Sequence, residues 1–245
     1  MDLPGYVVLS RLVAQRRATD VLATNMANAD TPAFKASQTI FATQMAGQDG
    51  MGIVGGKPLA YSQDRATWRD FSPGALQRTG NPLDVALSNE GFFAVQTPNG
   101  ERYTRAGRFA LSPENGVVDS DGNPVLTDAG PLVLPPNSTR IEITGDGTVS
   151  TEAGPAGRLK VVNFERTQDL QAEGSRLYAA PPEARPEPVQ RPAVVQGSVE
   201  GSNVKPVLEM VRLTAEMREF QFAAQFIEKD GERLQTAVDR ILKRR

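Results

Sequence analysis

Val204-Lys205-Pro206-Val207-Leu208-Glu209-Met210-Val211-Arg212-Leu213 opens the stretch that decides the fold. From Met210 the apolar positions run Leu213, Met217, Phe220, Ala224, Ile227, Gly231, Leu234, Val238 and Ile241, spaced alternately by three and four. This spacing predicts one helix from Val204 to Leu242, roughly 58 Å long at about 1.5 Å per residue. A seam repeating every ~3.5 residues stays on one helix face only when another helix wraps against it, so the pattern asks for a coiled-coil partner. Phe222, Phe226 and Leu242 lie beside the seam and widen it. Each large apolar side chain left in water forgoes roughly 1.5–3 kcal/mol, so the face requires cover.

The first candidate cover is Tyr6 to Asn28, free of Gly and Pro, with Val8, Leu12, Leu22 and Met26 on one face. At roughly 35 Å it is shorter than the seam, so part of the seam is expected to meet other chains. Pro32 disfavours helical geometry at Thr31 and should end this helix near Asn28 to Asp30. Residues 31–72 read as a flexible linker with weak secondary structure, because Gly47, Gly50, Gly52, Gly55 and Gly56 crowd together. From Pro73 to about Phe164 the pattern alternates, with turn signals such as Asn99-Gly100 and Asn115-Gly116, and predicts an antiparallel β domain with one core. Five prolines between Pro181 and Pro192 predict an extended surface loop. The expected fold is therefore α+β: an antiparallel β-rich central domain inserted between long N- and C-terminal helices that form a coiled-coil-like pair. The expected divisions are 1–30, 31–72, 73–200 with the Pro-rich loop 181–192, and 201–245.

Composition narrows the function. A net charge of −2 across 245 residues supplies no basic field for nucleic acid. Without Cys or His there is no thiolate or imidazole to act as nucleophile, near-neutral base or zinc ligand. No catalytic residue, cofactor site or metal site is expected, and no enzymatic activity. Asp119-Ser120-Asp121-Gly122-Asn123 has alternating carboxylates but lacks the later Glu of a calcium loop, so it reads as a turn. Arg16, Arg17 and Asp20 interrupt the opening residues, which do not read as a cleaved signal, and no transmembrane segment is expected.

Three blocks, in one order, resemble the rod and hook proteins of the bacterial flagellum. The first is Leu22 to Lys35, with Asn25, Ala27, Asn28, Thr31, Phe34 and Lys35 on the signature; Ala33 stands where Gly is usual, which argues against a left-handed backbone there. The second holds Thr79, Gly80, Pro82, Leu83 and Asp84, then Gly91-Phe92-Phe93, then Tyr103 to Phe109. The third runs from Glu200 through Ser202, Asn203 and Val204 to Glu209 and Met210. The resemblance implies a structural subunit of the flagellar basal-body rod, nearest to proximal-rod members, with distal-rod members as the alternative. A coiled-coil-borne β-domain binding module outside motility is the reading from another class. Implied partners are other rod subunits, proximal and distal, copies of the chain itself, and the flagellar type III export apparatus. The implied location is a rod spanning the periplasm, reached without a cleaved signal. With the seam, it places the assembly interface on Leu12, Leu22, Met26, Leu213, Met217, Phe220, Ile227, Leu234, Val238 and Ile241.

Overall fold

The computed structural model describes residues 3–46, 59–136, 138, 140–174 and 176–242. The chain divides into two units. The first gathers helix α1 (Leu3–Ala27), strands β1 (Ser37–Ala46) and β2 (Leu59–Arg69), and helix α2 (Pro206–Leu242).

α1 ends one residue before Asn28, whose carbonyl accepts from the Thr31 N–H at 3.1 Å ahead of Pro32. β1 and β2 pair antiparallel from Ser37↔Arg69 to Ala46↔Leu59, with a register shift between Ile40 and Phe41. Strands thus occupy much of the stretch expected as linker. Thr39 and Ile40 on one strand and Thr67 and Trp68 on the other are β-branched and aromatic residues of the kind that suit a pleated sheet. The intervening glycines mask that signal when composition is averaged over the stretch; they lie outside the described residues.

The coiled-coil-like pair is not what forms. Among the described residues there are two α-helices, and α1 meets β1 and β2 as well as α2. The face α1 buries is Ala14, Gln15, Ala18, Leu22 and Asn25, mostly small or polar side chains with few knobs to insert into holes. It meets α2 through hydrogen bonds: Arg11 and Gln15 donate to Glu219 at 2.8 and 3.2 Å, and Asn25 to Glu209 at 3.3 Å. Met210, Met217, Phe220 and Ile227 of the expected seam remain exposed.

The second unit spans Asn28–Ala36 and Asp70–Val204. Strands β3 (Leu76–Arg78) and β4 (Val85–Leu87) pair with Ser198–Glu200 and Val194–Gln196. Strands β5 (Phe92–Thr97) and β6 (Gly100–Thr104) form a hairpin at the centre of a six-stranded antiparallel sheet. Its outer strands are Gln171–Glu173 and Leu177–Ala179 beyond β6, and Val161–Asn163 and Glu187–Pro188 beyond β5. The expected single core is two. β5 alternates, sending Phe93 and Val95 into a cluster with Val85, Leu87, Phe109 and Val149. Phe92 and Ala94 enter another with Tyr103, Phe164 and Tyr178. The second is aromatic, its rings meeting edge to face, Tyr103 to Phe164 at 4.8 Å and Phe92 to Tyr178 at 5.8 Å. Within the Pro-rich stretch, Val162↔Pro188 pairing places a proline on the sheet's edge strand, where its missing N–H does least harm.

Burial, followed by the neighbouring Glu101 charge, pushes the Tyr103 phenol from its ordinary 10.0 up to about 12. The folded state then keeps a proton that the unfolded chain loses, so this contribution is present below pH ~10 and lost as pH rises toward ~12. Denaturant titrations across that window should show stability falling by about 2–3 kcal/mol from this group, and the fall should be shallower in Tyr103→Phe.

Candidate assembly surface

The residues of the three blocks converge on one buried carboxylate in the second unit. Glu200 is 1% exposed; its Oε1 accepts from Lys35 Nζ at 2.6 Å and from the Gly74 N–H at 2.9 Å, and its Oε2 accepts from Arg105 Nε at 2.8 Å. Lys35 also donates to the Ser72 carbonyl at 2.7 Å. Arg105 spends its other nitrogens on the carbonyls of Asn89 at 2.8 Å, Gly91 at 2.7 Å and Leu87 at 3.5 Å. Burial pulls the Lys35 ammonium below its ordinary value, while the Glu200 charge and hydrogen bond pull it back up. Buried charges carry a desolvation cost of several kcal/mol each, tolerable only when paired and saturated with hydrogen bonds as here.

Some of the remaining signature residues brace this clasp and the others serve turns and strand ends. Ala33 has φ +59, left-handed although it is not glycine, which corrects the expectation for that position. The conformation lets its N–H reach the Glu200 carbonyl at 2.8 Å. Asn203 donates to the Asp70 carbonyl at 2.7 Å and accepts from the Ala36 N–H at 2.8 Å. Phe34 and Val204 bury together with Ala36, and the Ser202 hydroxyl accepts from the Val204 N–H at 3.2 Å. Asn28 and Thr31 close the turn after α1, and Ala27 is exposed at its last position. The N–H groups of Thr79 and Gly80 donate to the Gly197 carbonyl, the carbonyl of Pro82 accepts from Gln196 at 2.9 Å, and Leu83 packs against the larger core. Asp84 is buried and accepts from Asn81 at 3.1 Å, and Gly91 has φ +136 next to Phe92 and Phe93. In the first unit, Asn25 bonds both the N–H and the carbonyl of Ser37 at 2.9 Å, completing the start of β1.

Glu200 and Arg105 stood inside the quoted blocks but were not singled out as sites. Nothing local marks them, since Arg105 has Arg102 and Arg108 close by and Glu200 is followed by Lys205 and Glu209. The Asp119 carboxylate caps its own turn, accepting from the N–H groups of Asp121 and Asn123 at 2.8 Å. Among the described residues no cluster of three potential ligands holds a metal, and no helix is long and apolar enough to cross a membrane.

A run of exposed apolar side chains lies on α2. Met210 (56% exposed), Met217 (55%), Phe220 (49%) and Ile227 (41%) form an apolar line, with Val211, Phe222 and Phe226 exposed beside it. Glu209, on the neighbouring face, is buried, whereas Val207, Leu208 and Met210 around it are exposed. Leu213, Leu12 and Met26 are half-buried and Leu22 is buried. Leu22 lines a groove of about 340 Å³ with Glu209, Arg212 and Glu216, where burial and the nearby Glu219 raise the Glu216 carboxyl above its ordinary value. Leu234, Val238 and Ile241 lie in α2, but their side chains fall outside the described residues.

Three substitutions probe the clasp. Glu200→Ala strands two buried cations and should cost about 3–5 kcal/mol in denaturant unfolding, more than Lys35→Met, which leaves Glu200 bonded to Arg105 and Gly74. Ala33→Gly relieves left-handed strain of roughly 1–2 kcal/mol and should be neutral or stabilising, whereas the same change at an unstrained site costs up to ~1 kcal/mol. A clear loss of melting temperature in Ala33→Gly contradicts the assigned conformation.

Three family models match: "Flagella basal body rod protein" over residues 6–35, "Flagellar hook protein FlgE/F/G D1 domain" over 86–151, and "Flagellar basal body rod FlgEFG protein C-terminal" over 195–240. The flagellar basal-body rod protein FlgF of Caulobacter vibrioides is 35% identical over 242 residues, 98% of each chain. FlgF of Salmonella typhimurium is 34% identical over 93% of each chain. FlgG of Bacillus subtilis is 29% identical, over 90% of this chain and 92% of its own. The chain belongs to the flagellar basal-body rod protein family of FlgE, FlgF and FlgG.

Proposed function

We propose that this chain is a structural subunit of the flagellar basal-body rod that joins its neighbours through the bare apolar face of α2. The observation that carries the reading is the exposed line Met210, Met217, Phe220 and Ile227 on a 37-residue helix, a face α1 leaves uncovered. Monomers rarely leave so long an apolar stripe in water, because burying each such side chain recovers roughly 1.5–3 kcal/mol. Leu213, Leu234, Val238 and Ile241 extend that interface along α2, and Leu12, Leu22 and Met26 join it from α1. Different patches meeting head to tail without closing a ring build a filament, the architecture a torque-transmitting shaft needs. The partners are other rod subunits, proximal and distal, and copies of the chain itself, in a rod across the periplasm reached through the flagellar type III apparatus. A proximal position is supported by relatives named FlgF at 31–35% identity, against 29–30% for several named FlgG. The role is mechanical, and no reaction is assigned to the chain.

Phe220→Asp combined with Ile227→Asp places two charges on the bare face of α2, within the first unit. Cells carrying the double variant should lack rods and fail to swim, while the purified protein keeps the melting transition of its β-rich unit. Normal swimming with normal rods defeats the reading.

A further inference from the structure

The chain contains two Asn-Gly pairs, Asn99-Gly100 and Asn115-Gly116, and the fold holds them differently. Asn99 is exposed at the turn between β5 and β6, and its carbonyl accepts from Arg102 Nη1 at 3.1 Å. Glu173 anchors that guanidinium in two places, accepting from Nε at 2.8 Å and from Nη2 at 2.9 Å, so the cation is held beside the turn. The Asn99 carbonyl and the Gly100 N–H share one peptide group. A cation bonded to the carbonyl therefore stabilises the anion left when that N–H loses its proton. Gly100, paired with Thr97 across the turn, has φ +104 and lacks a side chain, and the nearest atom a Cβ would meet is Arg102 Nη1 at 3.7 Å, so no side chain stands between the Asn99 amide and the turn backbone except that cation. At the other pair, Asn115 is half-buried, the Gly116 N–H donates to the Ser112 hydroxyl at 3.1 Å, and the Asn115 carbonyl accepts from the neutral Leu134 N–H at 2.9 Å.

We infer that Asn99 is a site of self-modification, where the backbone nitrogen of Gly100 attacks the Asn99 side-chain amide and converts it to aspartate and isoaspartate. Hydroxide takes the Gly100 N–H proton, the nitrogen bonds to Cγ of Asn99, and the Cγ–Nδ2 bond breaks. The departing nitrogen takes its proton from water and leaves as ammonia, regenerating hydroxide. Water then opens the five-membered imide at either carbonyl, with no change of oxidation state. Each event adds one negative charge beside Glu101 and Glu173, and the isoaspartate form lengthens the backbone of a two-residue turn.

The test is incubation of the full-length chain in mildly alkaline buffer, followed by peptide mass spectrometry and isoaspartate detection. Conversion at Asn99 should run several-fold faster than at Asn115 and rise with pH. Arg102→Gln should slow Asn99 several-fold and leave Asn115 unchanged, and Arg102→Lys, which keeps a cation, should retain most of the rate. Equal rates at the two sites overturn the assignment, as does an unaltered Asn99 rate in Arg102→Gln. If Arg102→Gln loosens the fold, Asn115 accelerates with it, and Arg102→Lys decides: a lysine variant that remains folded but loses the fast conversion overturns the role of the cation.

Discussion

One carboxylate holds the second unit closed. Glu200 lies in the last strand of that unit, Lys35 in the segment that enters it and Arg105 just after the central hairpin, so a single acidic side chain ties together positions 165 and 95 residues apart. Three fully desolvated charges are a poor source of net stability, since apolar replacements of equal volume often do as well. What they supply is a penalty on every alternative pairing, because a slipped strand leaves a buried ion without its partner. The Gly74 N–H, the Ser72 carbonyl and the carbonyls of Asn89 and Gly91 absorb the remaining hydrogen-bonding capacity. The same polypeptide segments are braced by Asn203 and by the left-handed Ala33, whose N–H meets the backbone carbonyl of Glu200 itself.

This arrangement separates two jobs that the sequence motifs run together. Most signature residues are consumed inside the molecule: Asn25 completes a strand, Asn203 and Lys35 close a clasp, and Phe92 and Phe93 fill opposite faces of one strand. The apolar residues left exposed on α2 include the less distinctive Met217, Phe220, Phe222, Phe226 and Ile227. A subunit of a filament has reason to divide its sequence this way. Internal contacts demand particular hydrogen-bonding geometry at each atom, whereas an assembly face needs apolar area and spacing, which several side chains supply equally well.

The helices of the first unit follow from the same distinction. An alternating three-and-four repeat on α2 states that an apolar stripe exists, not which molecule covers it. α1 presents Ala14, Gln15, Ala18 and Asn25, a line shaped for close approach and hydrogen bonding, and it shares that line between α2 and the β1–β2 pair. Its contact with α2 runs through Glu209 and Glu219, next to the apolar seam. The stripe therefore stays bare in the single chain.

Local physics made the main elements legible: the two terminal helices through periodicity and the proline that ends the first, the hairpin of β5 and β6 through alternation around Asn99-Gly100, and the signature blocks through their residues. Tertiary structure alone decided three things. It paired β1 with β2 across a glycine-rich gap, because sheet pairing depends on a partner that a composition average does not see. It split the apolar residues of the β unit into two clusters, because a continuous apolar run such as Phe92 to Val95 marks burial on both faces without saying which residues of other strands cover each face. It brought Lys35, Arg105 and Glu200 to one point, because charges distant in sequence reveal a shared burial only when the chain is folded.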